Sequence, residues 1–392
     1  MYDVLIAGGG ATGLTLAIAL KHSGLKIAIV EATEYQANAP HPGFDARAIA
    51  LAKYSQQMLD KFGLNISQIG TAIRHIKVTD QGHLGQCYLH HDEYQTDALG
   101  FVVEMQDFGA QLRNALPESI DWLCPDAICA LDYSQDAVHA TLKSGNAVSA
   151  RLLVVAEGAY SPTAELAGAS FVADDYQQTA LIANVGMAEP HQHWAYERFT
   201  QTGPLALLPM SQQRMSLVWT LDTARAAHLQ QASEQEFIQQ LQQAFGYAAG
   251  EIIKVGERFI YPLSLVTASP TVMHRTVLIG NCAHTLHPIA GQGFNLGLRD
   301  VVDLAAMLQN KQHALGSYAQ LRAYALARKP DQDKVIGLTD ALVRLFSNQH
   351  WPLVIGRNLG LTLMNQLPGL RHQLATQAMG LFAQATQQTH GE

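Results

Sequence analysis

Val4-Leu5-Ile6-Ala7-Gly8-Gly9-Gly10-Ala11-Thr12-Gly13 is the stretch that decides the fold. The apolar run Val4 to Ala7 suits a strand buried on both faces, as in a parallel sheet. The glycines after it satisfy G-x-G-x-x-G, and Leu14 to His22 reads as a helix packed through Leu14, Leu16, Ala17, Ile18 and Leu20. Gly24 ends that helix, and Lys26 to Val30 forms the next strand, closing on Glu31. In such a unit Gly8 permits the tight turn, Gly10 lets backbone approach a pyrophosphate, and Gly13 allows close helix–strand packing. Ala11 and Thr12 sit at the helix N-terminus, whose unpaired N–H groups and positive dipole end attract phosphate. Glu31 stands where an acid binds a pair of ribose hydroxyls, and its charge disfavours a 2′-phosphate. The unit reads as a site for FAD or NAD rather than NADP.

Composition narrows the rest. At 392 residues the chain has room for about two domains. Hydrophobic residues at 48% against 15% charged exclude a disordered chain. The net charge of −8 argues against a nucleic-acid partner, which needs phosphates neutralised. Cys87, Cys124, Cys129 and Cys282 fit neither a disulfide framework nor paired zinc spacing, so a reducing cytoplasm is expected. The start lacks the basic region and apolar core of a signal peptide. The uncharged stretch 372–391 is studded with Gln373, Gln377, Gln384, Gln387 and Gln388, so no membrane span is expected. Histidines such as His284 and His287 lie without a third ligand or an aligning helix, so no metal site is expected.

A second glycine-rich turn comes late. Thr276 to Gly280 reads as a strand and runs through Asn281, Pro288, Gly291, Gln292, Gly293, Phe294 and Asn295 into an apolar helix from Leu298 to about Leu308. Gly291 and Gly293 free the backbone at another helix N-terminus, where amides meet a polarised ligand; a plain loop is the alternative. Between the two turns, Glu157-Gly158 follows the strand Leu152 to Ala156.

The order of these pieces, with Asp45-Ala46-Arg47 after the second strand, resembles the single-component FAD-dependent aromatic hydroxylases of the p-hydroxybenzoate hydroxylase fold. Within them, His41 to Leu51, Glu197-Arg198-Phe199-Thr200, Gly203-Pro204-Leu205-Ala206 and His287 to Asp300 are similar to the ubiquinone-biosynthesis hydroxylases. The resemblance implies an α/β, Rossmann-type FAD-binding domain with an inserted α+β substrate domain and a helical C-terminal tail. The expected FAD-binding parts are 1–75, 101–170 and 270–335. The substrate domain takes 76–100 and 171–269, with strands near 181–187, 196–201, 214–221 and 257–263. Phe237, Leu241 and Phe245 give 234–245 a helical core face. Residues 336–392 form the tail, broken by Trp351-Pro352 and Pro368.

By the same resemblance, the first turn with Glu31 holds the ADP half of FAD and Arg47 reaches its pyrophosphate. Asn281 stands where the family usually has Asp, bonding a ribityl hydroxyl, and an amide can still accept there. Glu157-Gly158 replaces the usual Asp-Gly of a motif tied to both FAD and NAD(P)H, with a plain structural turn as the alternative. Pro288 and Gly291 to Asn295 line the isoalloxazine ring, with Pro288, Gly291 and Gln292 nearest the flavin. The implied reaction uses NAD(P)H and O2 and passes through a flavin C4a-hydroperoxide to hydroxylate a polyprenylated phenol, 2-polyprenyl-6-methoxyphenol. No acid–base dyad is required by it.

A sister hydroxylase of another ring carbon and a non-catalytic FAD-containing scaffold remain alternatives. The implied setting is a ubiquinone-biosynthesis enzyme complex, or peripheral inner-membrane contact through C-terminal helices carrying Leu353, Leu359, Leu361, Leu363, Met364, Arg344, Arg357 and Arg371. Ordinary helix packing is the other reading of that tail. A disulfide oxidoreductase is disfavoured, because Cys124 and Cys129 lie far down the chain and no second G-x-G-x-x-G occurs.

Overall fold

The computed structural model describes residues 1–34, 47–287, 291–310, 313–346, 358, 363 and 365–381. Its first sheet is built around the strand Tyr2–Ala7, which lies parallel between Ile27–Val30 and Ala147–Val155, Leu5 facing Ala28 and Leu153. Thr276–Leu278 and Asp121–Leu123 extend the parallel core outward on either side. Val4, Leu5, Ile6 and Ala7 are all fully buried, which is why they read as an unbroken apolar run rather than an alternating one. The helices Ala11–Ala19, Met105–Ala115 and Gln292–Gln309 pack on one face through Leu14, Phe108, Leu112, Leu298 and Val301. A meander of Ile128–Tyr133 and Val138–Leu142 covers the other face.

The second sheet has eight strands in the order 284–285, 252–269, 170–187, 214–222, 203–209, 194–200, 75–80 and 86–90. All neighbours are antiparallel except Trp194–Thr200 beside His75–Asp80. The anticipated strands 181–187, 214–221 and 257–263 fall inside Ser170–Met187, Arg214–Asp222 and Ile252–Ser269, and 196–201 overlaps Trp194–Thr200 to within one residue. Gly203–Pro209 was not anticipated, because Gly203-Pro204 and Pro209 at its ends resemble turn residues. Helices Thr223–Gln231 and Glu234–Phe245 cover this sheet, and Phe237, Leu241 and Phe245 face its core as their spacing implied. A small third sheet joins Ala48–Ala52, Gly100–Glu104 and Thr71–Ile73.

Two elements depart from the sequence expectation. Helix Gln292–Gln309 starts six residues before Leu298, since Gly291 takes a left-handed φ of 62° that launches the helix at once. Helix Tyr318–Phe346 runs unbroken through the expected division at 335/336. As expected, the tail is interrupted at Pro368: residues 365 and 366 are helical, Leu367 is not, and Pro368 begins the next helix, Pro368–Ala378, where proline in the first turn removes only an N–H that would be unpaired anyway. Trp351-Pro352 lies outside the described residues, as do Leu353, Arg357, Leu359, Leu361 and Met364, while the Arg344 side chain is not described. Ala375 and Met379 pack with Cys87, Leu89 and Leu99, fixing the C-terminal helix against the edge of the second sheet.

Candidate functional site: one cavity with two arms

A cavity of 1280 Å³ is lined from both large sheets. That exceeds the roughly 300–1,000 Å³ of a pocket for a single small ligand. Its first arm follows the glycine turns. Gly8 takes φ 103°, and a Cβ there would lie 2.6 Å from the Ala156 carbonyl oxygen. A Cβ on Gly13 would come within 2.0 Å of the Gly8 carbonyl oxygen, so only glycine lets this helix sit so close to its strand. Gly10 differs: a Cβ there would meet no atom within 4 Å and would project into the space where a ligand backbone approaches.

The helix Ala11–Ala19 has no side-chain cap and no acid in its first turn, leaving its N–H groups for an anion. Both oxygens of Glu31 accept backbone hydrogen bonds, from Gly9 N at 2.7 Å and Thr33 N at 2.8 Å, fixing the carboxylate at the rim of the arm. Arg47 lines the arm with its guanidinium 5.3 Å from the Tyr261 ring centre.

The late turn is braced from beneath. A Cβ on Gly280 would press to 2.8 Å on the Thr12 hydroxyl, so the two glycine turns meet directly. Asp300, fully buried, accepts from Gly280 N at 3.0 Å, His284 Nε2 at 2.7 Å, Arg328 Nε at 2.9 Å and Gln332 Nε2 at 2.9 Å. Burial alone would raise its carboxyl, but His284 and Arg328 outweigh that and hold it at about 2. Burial pushes His287 down to about 4, which keeps it neutral beside the Tyr176 ring.

Of the residues singled out in the sequence, Gly8, Gly10, Ala11, Thr12, Glu31, Arg47, Glu157, Gly158, Asn281, Gly291, Gly293, Phe294 and Asn295 all line this one cavity. Gly13 and Gln292 are not part of its lining, Gly13 acting from behind through helix packing. Pro288 lies outside the described residues. Two members carry structural duties. The Glu157 carboxylate accepts from the Ser161 and Thr163 hydroxyls, tying its turn to the next helix. Asn295 accepts from Ala52 N and the Ser55 hydroxyl and donates to the Ala50 and Gly291 carbonyls, so its amide is a brace between the helix start and the strand Ala48–Ala52.

The second arm was largely invisible in the sequence. It is the apolar face of the second sheet: Ile76, Val78, Ile182, Leu208, Val218 and Leu263. Leu342, Leu374 and Ala378 of the two C-terminal helices extend it. Glu197 is set in this wall, and burial pushes its carboxyl up to about 7. The alternation of Ala195, Glu197 and Phe199 on one strand face was the available signal. All four cysteines are free thiols, and among the described residues no three His, Cys, Asp or Glu side chains gather as metal ligands.

Residues 1–339 match the family model described as FAD binding domain. The chain is 36% identical over 386 residues to the ubiquinone hydroxylase UbiL of Rhodospirillum rubrum, covering 96% of this chain and 89% of that one. It is 30% identical to the mitochondrial ubiquinone biosynthesis monooxygenase COQ6 of Mus musculus, over 95% of this chain and 90% of that protein. Among solved structures, p-nitrophenol 4-monooxygenase PnpA from Pseudomonas putida superposes with a TM-score of 0.76 at 17% identity, covering 96% of this chain and 97% of that one. That last likeness shows the p-hydroxybenzoate-hydroxylase-like fold.

Proposed function

This chain belongs to the FAD-dependent hydroxylases of ubiquinone biosynthesis, a group of flavoprotein monooxygenases, and we propose that it hydroxylates the aromatic ring of a polyprenylated phenol, 2-polyprenyl-6-methoxyphenol. The observation that carries this reading is the continuity of the cavity: a backbone-lined polar arm opens directly into a long apolar one. The residues present fit FAD, because Gly10 leaves a cradle that any Cβ would fill and two uncapped helix N-termini face the same space.

Gly8, Gly10, Ala11 and Thr12 would hold the pyrophosphate by backbone, Glu31 the ribose, and Arg47 would balance the phosphate charge. Asn281 would meet the ribityl chain, and the turn from Gly291 to Phe294, with Pro288 before it, would support the flavin ring. When bound, FAD supplies the redox chemistry by which NAD(P)H and O2 deliver one oxygen atom to the ring and one to water. The apolar arm would orient the phenol, take up its isoprenoid tail along Leu342, Leu374 and Ala378, and exclude water.

The division into FAD-binding segments 1–75, 101–170 and 270–335 and an inserted substrate domain is part of this reading. It is supported by the separate sheets, although the short strand His284–Thr285 reaches across to pair with Ile252–Ser269. No described helix is long and apolar enough to cross a membrane. Leu363, Leu367 and Leu370, exposed before and in the first turn of the helix Pro368–Ala378, would offer the contact with a membrane surface or partner enzymes where the substrate resides.

The test is mass analysis of quinone precursors in a strain lacking this protein. Accumulation of 2-polyprenyl-6-methoxyphenol is expected. A different precursor would assign the protein to a sister reaction at another ring carbon, and an unchanged precursor pool would refute the reading.

A further inference from the structure

We propose that Glu197 receives the ring hydroxyl of the substrate, accepting its hydrogen bond and taking its proton as the ring is oxygenated. This rests on the ring-hydroxylation reading above. Among the described residues six charged side chains line the cavity, and five of them, Glu31, Arg47, Asp126, Lys143 and Glu157, stand on segments outside the second sheet. Of these six, Glu197 is the one set in the apolar sheet wall, on the strand Trp194–Thr200.

Its cross-strand neighbours in register are Ala206 and Val78, both of which also line the cavity and offer no polar side chain. The adjacent Arg198 does not answer it, since its guanidinium donates to the Ala244 carbonyl at 3.1 Å. Lys77, on the neighbouring strand, sits over the Tyr88 ring instead. Among the described residues the other titratable groups that line the cavity from this sheet are Tyr196, whose ring lies against Trp194 and Phe245, and Tyr261, over which the Arg47 guanidinium sits.

Glu31, Glu157 and Asp300 each accept hydrogen bonds from the protein, whereas the Glu197 carboxyl has no hydrogen bond or ion pair among the described residues. An unanswered carboxyl in an apolar wall weakens the fold, so a ligand group that answers it explains the residue better than packing does. Burial, the cause of its raised affinity for protons, also makes it a stronger base than an ordinary carboxylate.

The step balances without any new reactant. The phenol O–H bond breaks and its proton forms a carboxylic acid on Glu197, which enriches the ring in electrons. NAD(P)H provides two electrons and O2 provides the atom that bonds to the ring carbon, its other atom leaving as water. The ring C–H is then lost as a proton to restore aromaticity, and Glu197 returns its proton to the product oxygen.

The experiment uses the FAD-loaded protein and two soluble probes, 2-methoxy-6-prenylphenol and its O-methyl ether. Binding is followed by flavin fluorescence, and turnover of the phenol is measured against pH. The wild type is expected to bind the phenol about tenfold or more tighter than the ether at pH 8, the scale of a hydrogen bond to a charged group. Its kcat should rise with pH through about 7 as the carboxyl ionises.

Glu197→Gln is expected to lose most of the preference for the phenol, lower kcat more than it raises KM, and lose the pH rise. Glu197→Asp should keep part of all three. Flavin retention verifies that each variant is folded. If Glu197→Gln keeps the preference and the pH profile while the wild type turns over the phenol, the role of Glu197 is overturned and ring hydroxylation stands. If the wild type binds neither probe, the reading of the cavity falls and this proposal with it.

Discussion

Asp300 is fully buried and Glu197 half-buried in the cavity wall, yet one is held at about 2 and the other is pushed up to about 7. The difference lies in their neighbours. Around Asp300 the chain arranges an amide N–H, an imidazole, a guanidinium and a carboxamide, and together they outweigh the cost of burial. Around Glu197 the sheet supplies alanine and valine. A saturated buried acid belongs to the frame that holds the late glycine turn, and an unsaturated one belongs to the space where a ligand arrives.

The sharpest way to break this contrast is Asp300→Asn. It removes the buried carboxylate that His284, Gly280 N and Gln332 donate to and leaves Arg328, among the described residues, with only Asp303 and Asp331, and a loss of about 3–5 kcal/mol is expected, read by denaturant unfolding, together with weaker flavin retention. The sign with pH follows from the depressed carboxyl. Its stabilisation is present above its ordinary value of 3.8 and disappears as pH falls through about 2, so the wild type should show an acid-dependent loss in that window that Asp300→Asn lacks.

A smaller effect is expected in the apolar arm. Leu374→Trp narrows the wall formed with Leu342 and Ala378, and should lower kcat/KM for a long-tailed phenol by about tenfold, or 1.4 kcal/mol, with little change for the short-tailed probe. Equal loss for both probes would show that the tail does not run along this wall.

The smallest change should be a gain. Glu197 has its proton affinity raised from 4.5 to about 7, so its stabilisation is complete below 4.5 and is lost as pH rises through 7. Glu197→Gln should therefore melt a few degrees higher than the wild type at pH 8 and equally at pH 4. A lower melting temperature at pH 8 would mean that the carboxylate has a partner in the fold.

The polar arm was legible because its chemistry is local: Gly8, Gly10 and Gly13 and Glu31 announce themselves within one strand–helix–strand unit. Glu157 and Asn295 were singled out in the sequence, but their hydrogen bonds to Ser161, Thr163, Ala52 and Ala50 depend on how the folded segments meet. The apolar arm was hidden for the same reason. Val78, Ile182, Leu208 and Leu263 are ordinary strand residues until the strands of the second sheet turn one face to a common space. Glu197 was visible only as part of a short motif; its isolation comes from Ala206 and Val78, residues on two other strands. Gly291 and Gly293 were read as a helix N-terminus, but the helix itself was expected only from Leu298, because glycines such as Gly293 and Gly297 normally argue against helix.

The register of the first sheet has a consequence for how the polypeptide is born. Leu5 pairs with Leu153, and Leu153 in turn pairs with Thr276, so neighbouring strands are separated by well over a hundred residues of chain. Such long-range parallel pairing is slow and exposes hydrophobic edges while it waits. The opening strand emerges from the ribosome long before its sheet can be finished, and the cleft for the coenzyme takes shape only after Thr276–Leu278 and the helix behind it have been synthesised. A nascent chain halted before that point carries the first glycine turn on an incomplete sheet, and is a natural client for chaperones.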